Sequence, residues 1–532
     1  MPSSRRDFLR LVAAAPVVVA SWTSPLLAAG LERKAPVKHF VLLHSNDPHG
    51  HLLPFSFQER TAPGDFLAYM PERKSIGGIA RRATLIKDIK KREKNVYAFD
   101  AGDSMDGSPF SLEFLGKADY DANSLAGFDY GTFGNHDFNM TPAQFKEMRE
   151  RVKYPIVLAN VFEKGTKNPV EKPYLLENWD GLKVAVLGLT TYSARTYKAI
   201  ADTWEMREPM SVASDLVPVL RKEADLVVVL AHDGYDEDKR MARDIPGIDV
   251  IIGAHSHTRL PVGDYELAAR PGRRDPQGTV IVQAHCWGGE LGRLDLDAMQ
   301  MPDGQWRIVR YTASLLPVTE SVPEHPSVKA VVQSYWDRIK PKYAEVVGEA
   351  ADEFVEAEGE DPTNYFLMCD ALHAGFPDAD FEIENFGGVR APVLKGKITR
   401  AMLIEVDPFT NTMVSFKIKG SDLKKVLAYT RPSPSATLRY HARAFARPDG
   451  KKKEWTLVSA TLKGQPIEDE KVYRGVASSY YFNYGIKKYA LEAQDTGNPR
   501  IEYLAEYIRK NSPIRPTPDG RLRLEDNTNI ED

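Results

Sequence analysis

Val250-Ile251-Ile252-Gly253-Ala254-His255-Ser256-His257 decides how this chain is read. A short apolar, β-branched run predicts a strand, and two histidines stand just beyond its end. Four other runs have the same form. Phe40-Val41-Leu42-Leu43 leads into Asp47-Pro48-His49, and Val96-Tyr97-Ala98-Phe99 leads into Asp103. Tyr130-Gly131-Thr132-Phe133 leads into Gly134-Asn135-His136-Asp137, and Leu226-Val227-Val228-Val229-Leu230 leads into His232. In open α/β sheets, sites form beyond the carboxyl ends of strands. Five strand ends delivering Asp, Asn or His therefore predict one shared site. Its candidate ligands are Asp47, His49, Asp103, Asn135, His232, His255 and His257. They are too many for one ion and suit two divalent cations. Mixed nitrogen and oxygen donors without thiolate favour manganese, zinc or a similar metal over calcium or magnesium. Residues i and i+2 at a strand end project to one side, so Asp47 with His49 should grip a single ion, and His255 with His257 repeats the spacing.

Around these runs, residues 38–319 alternate strand-like and helical patterns, which predicts a layered α/β domain. Ile79 to Lys91 is one such helix, with Ile79, Ala83, Ile86 and Ile89 on one face. Residues 320–345 read as a linker, with a helix from Val328 to Tyr343. A second, smaller domain mixing helices and strands is expected over 346–524, followed by a polar tail over 525–532.

The 532 residues carry 70 basic and 74 acidic side chains, a formal net charge of −4, which gives no footing for a nucleic-acid polymer. Ser4-Arg5-Arg6-Asp7-Phe8-Leu9-Arg10, an apolar run from Leu11 to Ala20 and Ala28-Ala29 have the layout of an export signal over residues 1–29. The paired arginines resemble a twin-arginine signal, which implies the twin-arginine export machinery as a partner and a periplasmic or secreted product. No stretch reaches the roughly 20 apolar residues of a membrane span. The two cysteines, Cys286 and Cys369, are too few for a disulfide framework.

Asp47-Pro48-His49-Gly50-His51, Gly102-Asp103, Gly134-Asn135-His136-Asp137, Ala231-His232-Asp233 and Gly253-Ala254-His255-Ser256-His257 resemble the metallophosphoesterase motifs of the bacterial 5′-nucleotidase family. Asn385-Phe386-Gly387-Gly388-Val389-Arg390 is similar to that family's substrate motif, and Gly396-x-Ile398-Thr399 and Pro408-Phe409-x-Asn411 follow in the same order. The resemblance implies a four-layer α/β/β/α metal domain joined by a helical linker to an α/β (α+β) substrate domain, with the active site between them. It implies one ion on Asp47, His49, Asp103 and His257, and another on Asp103, Asn135, His232 and His255. The substrate it implies is a small-molecule phosphate ester, a nucleotide foremost. His136 would then stabilise the transition state or protonate the leaving oxygen. Asn385, Gly388 and Arg390 would bind substrate. His44, His51 and His285 read first as structural histidines, and otherwise as residues that orient ligands.

Two departures bear on specificity. Where typical members place an aspartate that pairs with the catalytic histidine, this chain has Asn139. An asparagine orients an imidazole without stabilising its cation, and that form resembles 2′,3′-cyclic-nucleotide phosphodiesterase and 3′-nucleotidase relatives. The base-stacking segment, Ser478-Ser479-Tyr480-Tyr481-Phe482-Asn483-Tyr484-Gly485, lacks the family's glycine run and leaves Tyr481, Phe482 or Tyr484 as stacking rings or strand core. The loop Arg431–Arg447 offers four arginines to an acidic ligand. UDP-sugar hydrolysis, thiosulfohydrolase chemistry and a binding protein on a decayed hydrolase scaffold are the other readings left open.

Overall fold

The computed structural model describes residues 20–23, 36–56, 74–267, 278–355, 361–447, 453–526 and 528. Most of the signal-like segment lies outside the described residues. The chain forms two compact units that divide between Ile339 and Lys340.

In the first unit the apolar runs are strands. β1 (Val37–Ser45), β2 (Val96–Asp100) and β3 (Tyr130–Gly131) lie side by side and parallel. The chain then builds a second sheet from β4 (Tyr174–Trp179), β5 (Leu182–Thr190), β6 (Leu226–His232), β7 (Val250–Gly253), β8 (Asp264–Leu267) and β9 (Gly278–Val282). It returns to the first sheet through the antiparallel pair β10 (Glu290–Gln300) and β11 (Trp306–Pro317). The short strand Ala20–Thr23 pairs with β11.

The two sheets pack face to face. Phe40, Leu42, Phe99, Leu294 and Leu296 of the first meet Val184, Val186, Leu226, Val228, Leu230, Val250 and Ile252 of the second in one apolar core. Their alternate neighbours face outward and are also covered. Ala185, Leu187, Val227, Val229 and Ile251 pack on Val212, Val217 and Leu220 of α3 (Pro209–Glu223) and on Met241 of α4 (Tyr235–Asp244), which follow α1 (Ile79–Arg92) and α2 (Lys117–Ala126) in the chain. Double-sided burial explains why these strands read as unbroken apolar runs. Helix α1 covers the first sheet with Ile79, Ala83, Ile86 and Ile89, all buried. The unit is thus four layers, α/β/β/α.

The predicted linker helix is α5 (Pro326–Tyr343). Val328, Val332 and Ile339 are buried, and the Tyr335 hydroxyl donates to Asp121 at 2.6 Å. The second unit is built on a five-stranded sheet in the order Ser433–Pro434, Phe381–Glu384, Val472–Ser478, Thr412–Lys419, Glu492–Pro499. Phe381, Val414, Phe416, Leu427 and Tyr481 fill its core. Two expectations are revised here. Order extends to Glu525, the last residue of strand Leu522–Glu525, which takes an ion pair from Arg443. The arginines of 431–447 are not a free loop. Leu438–Ala446 is a strand, Arg439 and Arg443 pair with Asp519 and Glu525, and Arg431 lies over the Trp455 ring. Cys286 and Cys369 are buried in separate units and form no disulfide.

Candidate metal centre

The parallel strands β1, β2 and β3 of one sheet and β6 and β7 of the other deliver residues at or just beyond their carboxyl ends to one place. Asp47, His49 and His257 form one group of potential metal donors, and Asp103, His232 and His255 form another. The i, i+2 pairs do not work as a strand pleat would have them. Asp47, His49, Asp103, His255 and His257 all have left-handed backbone, with φ of 49°, 44°, 52°, 73° and 55°. Non-glycine residues in that region are held there by their surroundings, and such strain gathers at functional sites. The turns separate His255 from His257, so each joins a different group.

Within the first group, His49 Nε2 lies 3.0 Å from His257 Nε2, and His257 Nε2 lies 3.5 Å from Asp47 Oδ1. In the second, His232 Nε2 is 3.1 Å from Asp103 Oδ2. Donors bound to one ion at about 2.0–2.2 Å are spaced in this range. The same Asp103 Oδ2 is 3.9 Å from His49 Nε2, so this oxygen lies between a histidine of each group.

The surroundings hold the donor atoms inward. His232 Nδ1–H donates to the Ala101 carbonyl at 2.8 Å, leaving Nε2 with its lone pair. His49 Nδ1–H donates to the Asp106 carbonyl at 3.1 Å, with the same result. The Asn135 amide donates to Tyr197 Oη at 3.0 Å. His232 Nε2 and Asn135 Oδ1 are buried and make no hydrogen bond. A buried acceptor without a partner is costly, and two at one spot, with carboxylates beside them, suit cations. The donor chemistry and these two orphaned atoms fit divalent metal at both groups.

Electrostatics agree. Burial raises the Asp47 carboxyl, but positive charge on the imidazoles of His257 and His232 overcomes it and holds the group well below its usual range. Burial lowers His232, but Asp103 and Asp47 outweigh it and raise it to about 10, so the carboxylates hold on His232 a proton that a cation at Nε2 would replace. Burial likewise opposes ionisation of Asp103, and His232 and His136 reverse that. Close packing fixes the loops. A Cβ on Gly134 would stand 2.2 Å from Asp103 Oδ1, and one on Gly102 would stand 2.4 Å from the Gly134 nitrogen.

Several residues beyond the predicted ligands build this site. Asp137 turns away from the cleft and accepts backbone N–H groups of Gly134 and Asp103 (both 2.8 Å) and Ser104 (3.1 Å). Asn46 donates to Asp47 Oδ2 at 2.7 Å and to the His285 carbonyl, and accepts from the Ala284 amide. Tyr197 and Asp106 were missed, and no spacing rule marks either of them. His51 stacks on Trp287 with ring centroids 5.0 Å apart, and His44 lies against Gly292.

These buried histidines carry a consequence for stability. Burial lowers His44 to about 3, His51 to about 4 and His285 to about 3, from a usual 6.5. At these three sites the unfolded chain therefore binds more protons below pH 6.5. Stability is whole above that pH and is lost as pH falls toward the folded values, each histidine removing about 1.4 kcal/mol per pH unit. The histidines' own share is read by their ring NMR signals: His44, His51 and His285 should show no titration between pH 7 and pH 5, and a midpoint near 6.5 for any of them would contradict this.

In the second unit, Tyr365 Oη receives the Gly387 amide at 2.7 Å and donates to the Val389 carbonyl at 3.1 Å, shaping the turn of the predicted substrate motif. Asn385 Nδ2 donates to the Phe386 carbonyl. The Arg390 amide is held by the Val406 carbonyl at 2.8 Å. Of the three rings expected either to stack or to fill the core, Tyr481 and Phe482 take the core, which corrects their reading as stacking rings. Both are buried in the core, with Tyr481 Oη 2.5 Å from Thr430 Oγ1. Tyr480 and Tyr484 are the exposed rings, parallel to within 12° at 6.2 Å.

Comparison with known proteins agrees with this architecture. Residues 40–259 match the calcineurin-like phosphoesterase family, and residues 346–492 match the 5′-nucleotidase C-terminal domain. Protein UshA of Yersinia enterocolitica is 27% identical, over 89% of this chain and 91% of its own length. The 5′-nucleotidase of Rattus norvegicus is also 27% identical, over 91% and 90%. The crystal structure of a 5′-nucleotidase precursor from Thermus thermophilus superposes with a TM-score of 0.80 at 26% identity, covering 92% of this chain and 99% of that one. The molecule is a metal-binding phosphoesterase, an enzyme that hydrolyses phosphoesters. It belongs to the 5′-nucleotidase family, in which a calcineurin-like phosphoesterase domain precedes a 5′-nucleotidase C-terminal domain.

Proposed function

We propose that this enzyme holds two divalent cations, manganese or zinc by the nitrogen and oxygen donor set, and hydrolyses the phosphate ester of a nucleotide. The carrying observation is the pair of donor groups at Asp47/His49/His257 and Asp103/His232/His255, with His232 Nε2 and Asn135 Oδ1 buried and unpartnered beside them. Asp47, His49, Asp103 and His257 would hold one cation, and Asp103, Asn135, His232 and His255 the other. Together the cations would neutralise phosphoryl oxygens and acidify a water. The chain's own part is positional. His136 stands beside His49, with ring centroids 5.0 Å apart, and its ring meets developing charge on the phosphoryl group or gives a proton to the leaving oxygen. Arg390 supplies a guanidinium fork suited to phosphate, and Asn385 and Gly388 share its turn. Of the three candidate stacking rings, exposed Tyr484 keeps the role, with Tyr480 parallel beside it.

The test is release of phosphate from nucleoside mono- and diphosphates, 2′,3′-cyclic nucleotides, UDP-sugars and sugar phosphates with added manganese. Turnover led by a 5′-nucleotide is expected; no turnover on any of them would contradict the proposal. The cyclic-nucleotide reading rested on Asn139. It loses that support because a carboxylate, Asp106, stands 2.7 Å from His136 Nδ1. Export through the twin-arginine route rests on Arg5-Arg6 and the run after them, and among the described residues no helix is long and apolar enough to cross a membrane. Cell fractionation that finds the enzyme only in the cytoplasm would overturn that part.

A further inference from the structure

We infer that Asp106 is the residue that positions His136, in place of the aspartate that typical relatives carry where this chain has Asn139. This rests on the function proposed above and names a residue that no motif marks.

The geometry comes from three contacts on one residue. His136 Nδ1–H donates to Asp106 Oδ2 at 2.7 Å. Asn139 Nδ2 donates to the same oxygen, also at 2.7 Å. The Asp106 carbonyl accepts from His49 Nδ1–H at 3.1 Å. Asp106 thus orients the ring of His136 through its side chain and that of His49 through its backbone. Its own backbone is left-handed, with φ of 73°, a conformation aspartate tolerates better than most residues and one that persists only where surroundings impose it. The side chains of His136 and Asp106 are 12% and 11% exposed, so water competes little for the bond.

Asn139 acquires a different task from the one its place in the motif suggests. Its amide has no charge to offer His136, but it steadies the carboxylate that does. His136–Phe138 is a single 3₁₀ turn, and residues three apart in such a turn eclipse one another. A side chain at 139 therefore stands beside His136, and an aspartate there could reach Nδ1 directly. Positions 106 and 139 flank one oxygen, and the carboxylate has exchanged sides of it. Because the charged partner is kept, the chain retains the histidine–carboxylate pair despite the asparagine in its motif.

The swap is the test. Wild-type turnover on the nucleotide panel comes first; if the wild type is inert, the proposed function fails and not this inference. Given an active wild type, Asp106→Asn is expected to lower kcat at least thirtyfold at unchanged KM, with cation content unchanged. Asp106→Asn/Asn139→Asp is expected to recover at least tenfold of that loss. A second readout is independent of turnover. The deshielded Nδ1–H proton of His136, observed by NMR in the zinc-loaded, ¹⁵N-histidine-labelled enzyme, should vanish in the single variant and return in the double. If Asp106→Asn alone folds poorly or drops its cations, recovery of both readouts in the double variant still supports the inference. A kcat for Asp106→Asn within threefold of wild type, or a double variant no better than the single in both readouts, would overturn it.

Discussion

Replacing Asp103 by asparagine is expected to reduce turnover by at least about 10³-fold and to leave one bound cation or none. Of the seven candidate ligands, only Asp47 and Asp103 bring negative charge; the rest are imidazoles and one amide. Removing one carboxylate halves the anionic compensation for two divalent ions. Asp103 is also the oxygen source set between the groups, 3.1 Å from His232 Nε2 and 3.9 Å from His49 Nε2. An asparagine in its place presents either one oxygen or an N–H group, and cannot serve both sides. The loop should survive, because Asp137 still gathers the amides of Gly134, residue 103 and Ser104. Elemental analysis beside kcat reads the result. A variant within tenfold of wild type that keeps two cations would remove Asp103 from the centre.

The largest expected loss of stability lies in the second unit, at Arg500. This side chain is wholly buried. Its Nε and Nη2 take both oxygens of Asp407, at 2.9 and 2.7 Å, and Nη2 also donates to the Gly388 carbonyl at 2.7 Å. Nη1 stands 3.0 Å from Glu384 Oε2, too poorly aligned for a hydrogen bond, and Glu384 is itself tied to Ser478. Arg500 so fastens the Gly387–Gly388 turn of the substrate motif to the strand before it and to the Asp407-Pro408-Phe409 segment after it. Burial lowers the arginine's affinity for its proton, but Asp407 and Glu384 more than restore it. Arg500→Met would leave two carboxylates buried without a counter-charge, at a cost of about 3–5 kcal/mol. Hydrogen exchange over residues 384–411 should rise sharply, and the unit should unfold at lower urea. Replacing Glu384, Asp407 and Arg500 together by Gln, Asn and Met should be milder than the single change. A single variant within 1 kcal/mol of wild type would contradict this account.

Much of this centre was legible because double-sided burial writes parallel strands as unbroken apolar runs, and ligands stand a few residues past each. What the spacing could not give was backbone hand. Asp47 and His49 were expected to share a face of a pleat, whereas left-handed turns place them, and turns of the same kind send His255 and His257 to separate groups. Contacts between distant segments were invisible for a different reason. Asp106 meets His136 and Asn139 across 30 and 33 residues, and Arg500 meets Asp407 across 93. No local period records such pairs. The aromatic segment failed on period. A strand reading alternates residues, but Ser479–Tyr481 is helical and Phe482–Ile486 continues as a wider turn. Helical spacing puts positions 480 and 484 on one exposed face and turns Tyr481 and Phe482 inward.

The claim on which the mechanism stands is a pair of cations at these converging side chains. Elemental analysis of enzyme purified without chelators, joined to anomalous scattering from its crystals, measures that directly. Two divalent transition-metal ions per chain, one at Asp47, His49 and His257 and one at His232, His255 and Asn135 with Asp103 touching both, is the result this account predicts. An active enzyme with no such metal, or with its metal bound elsewhere, would contradict it.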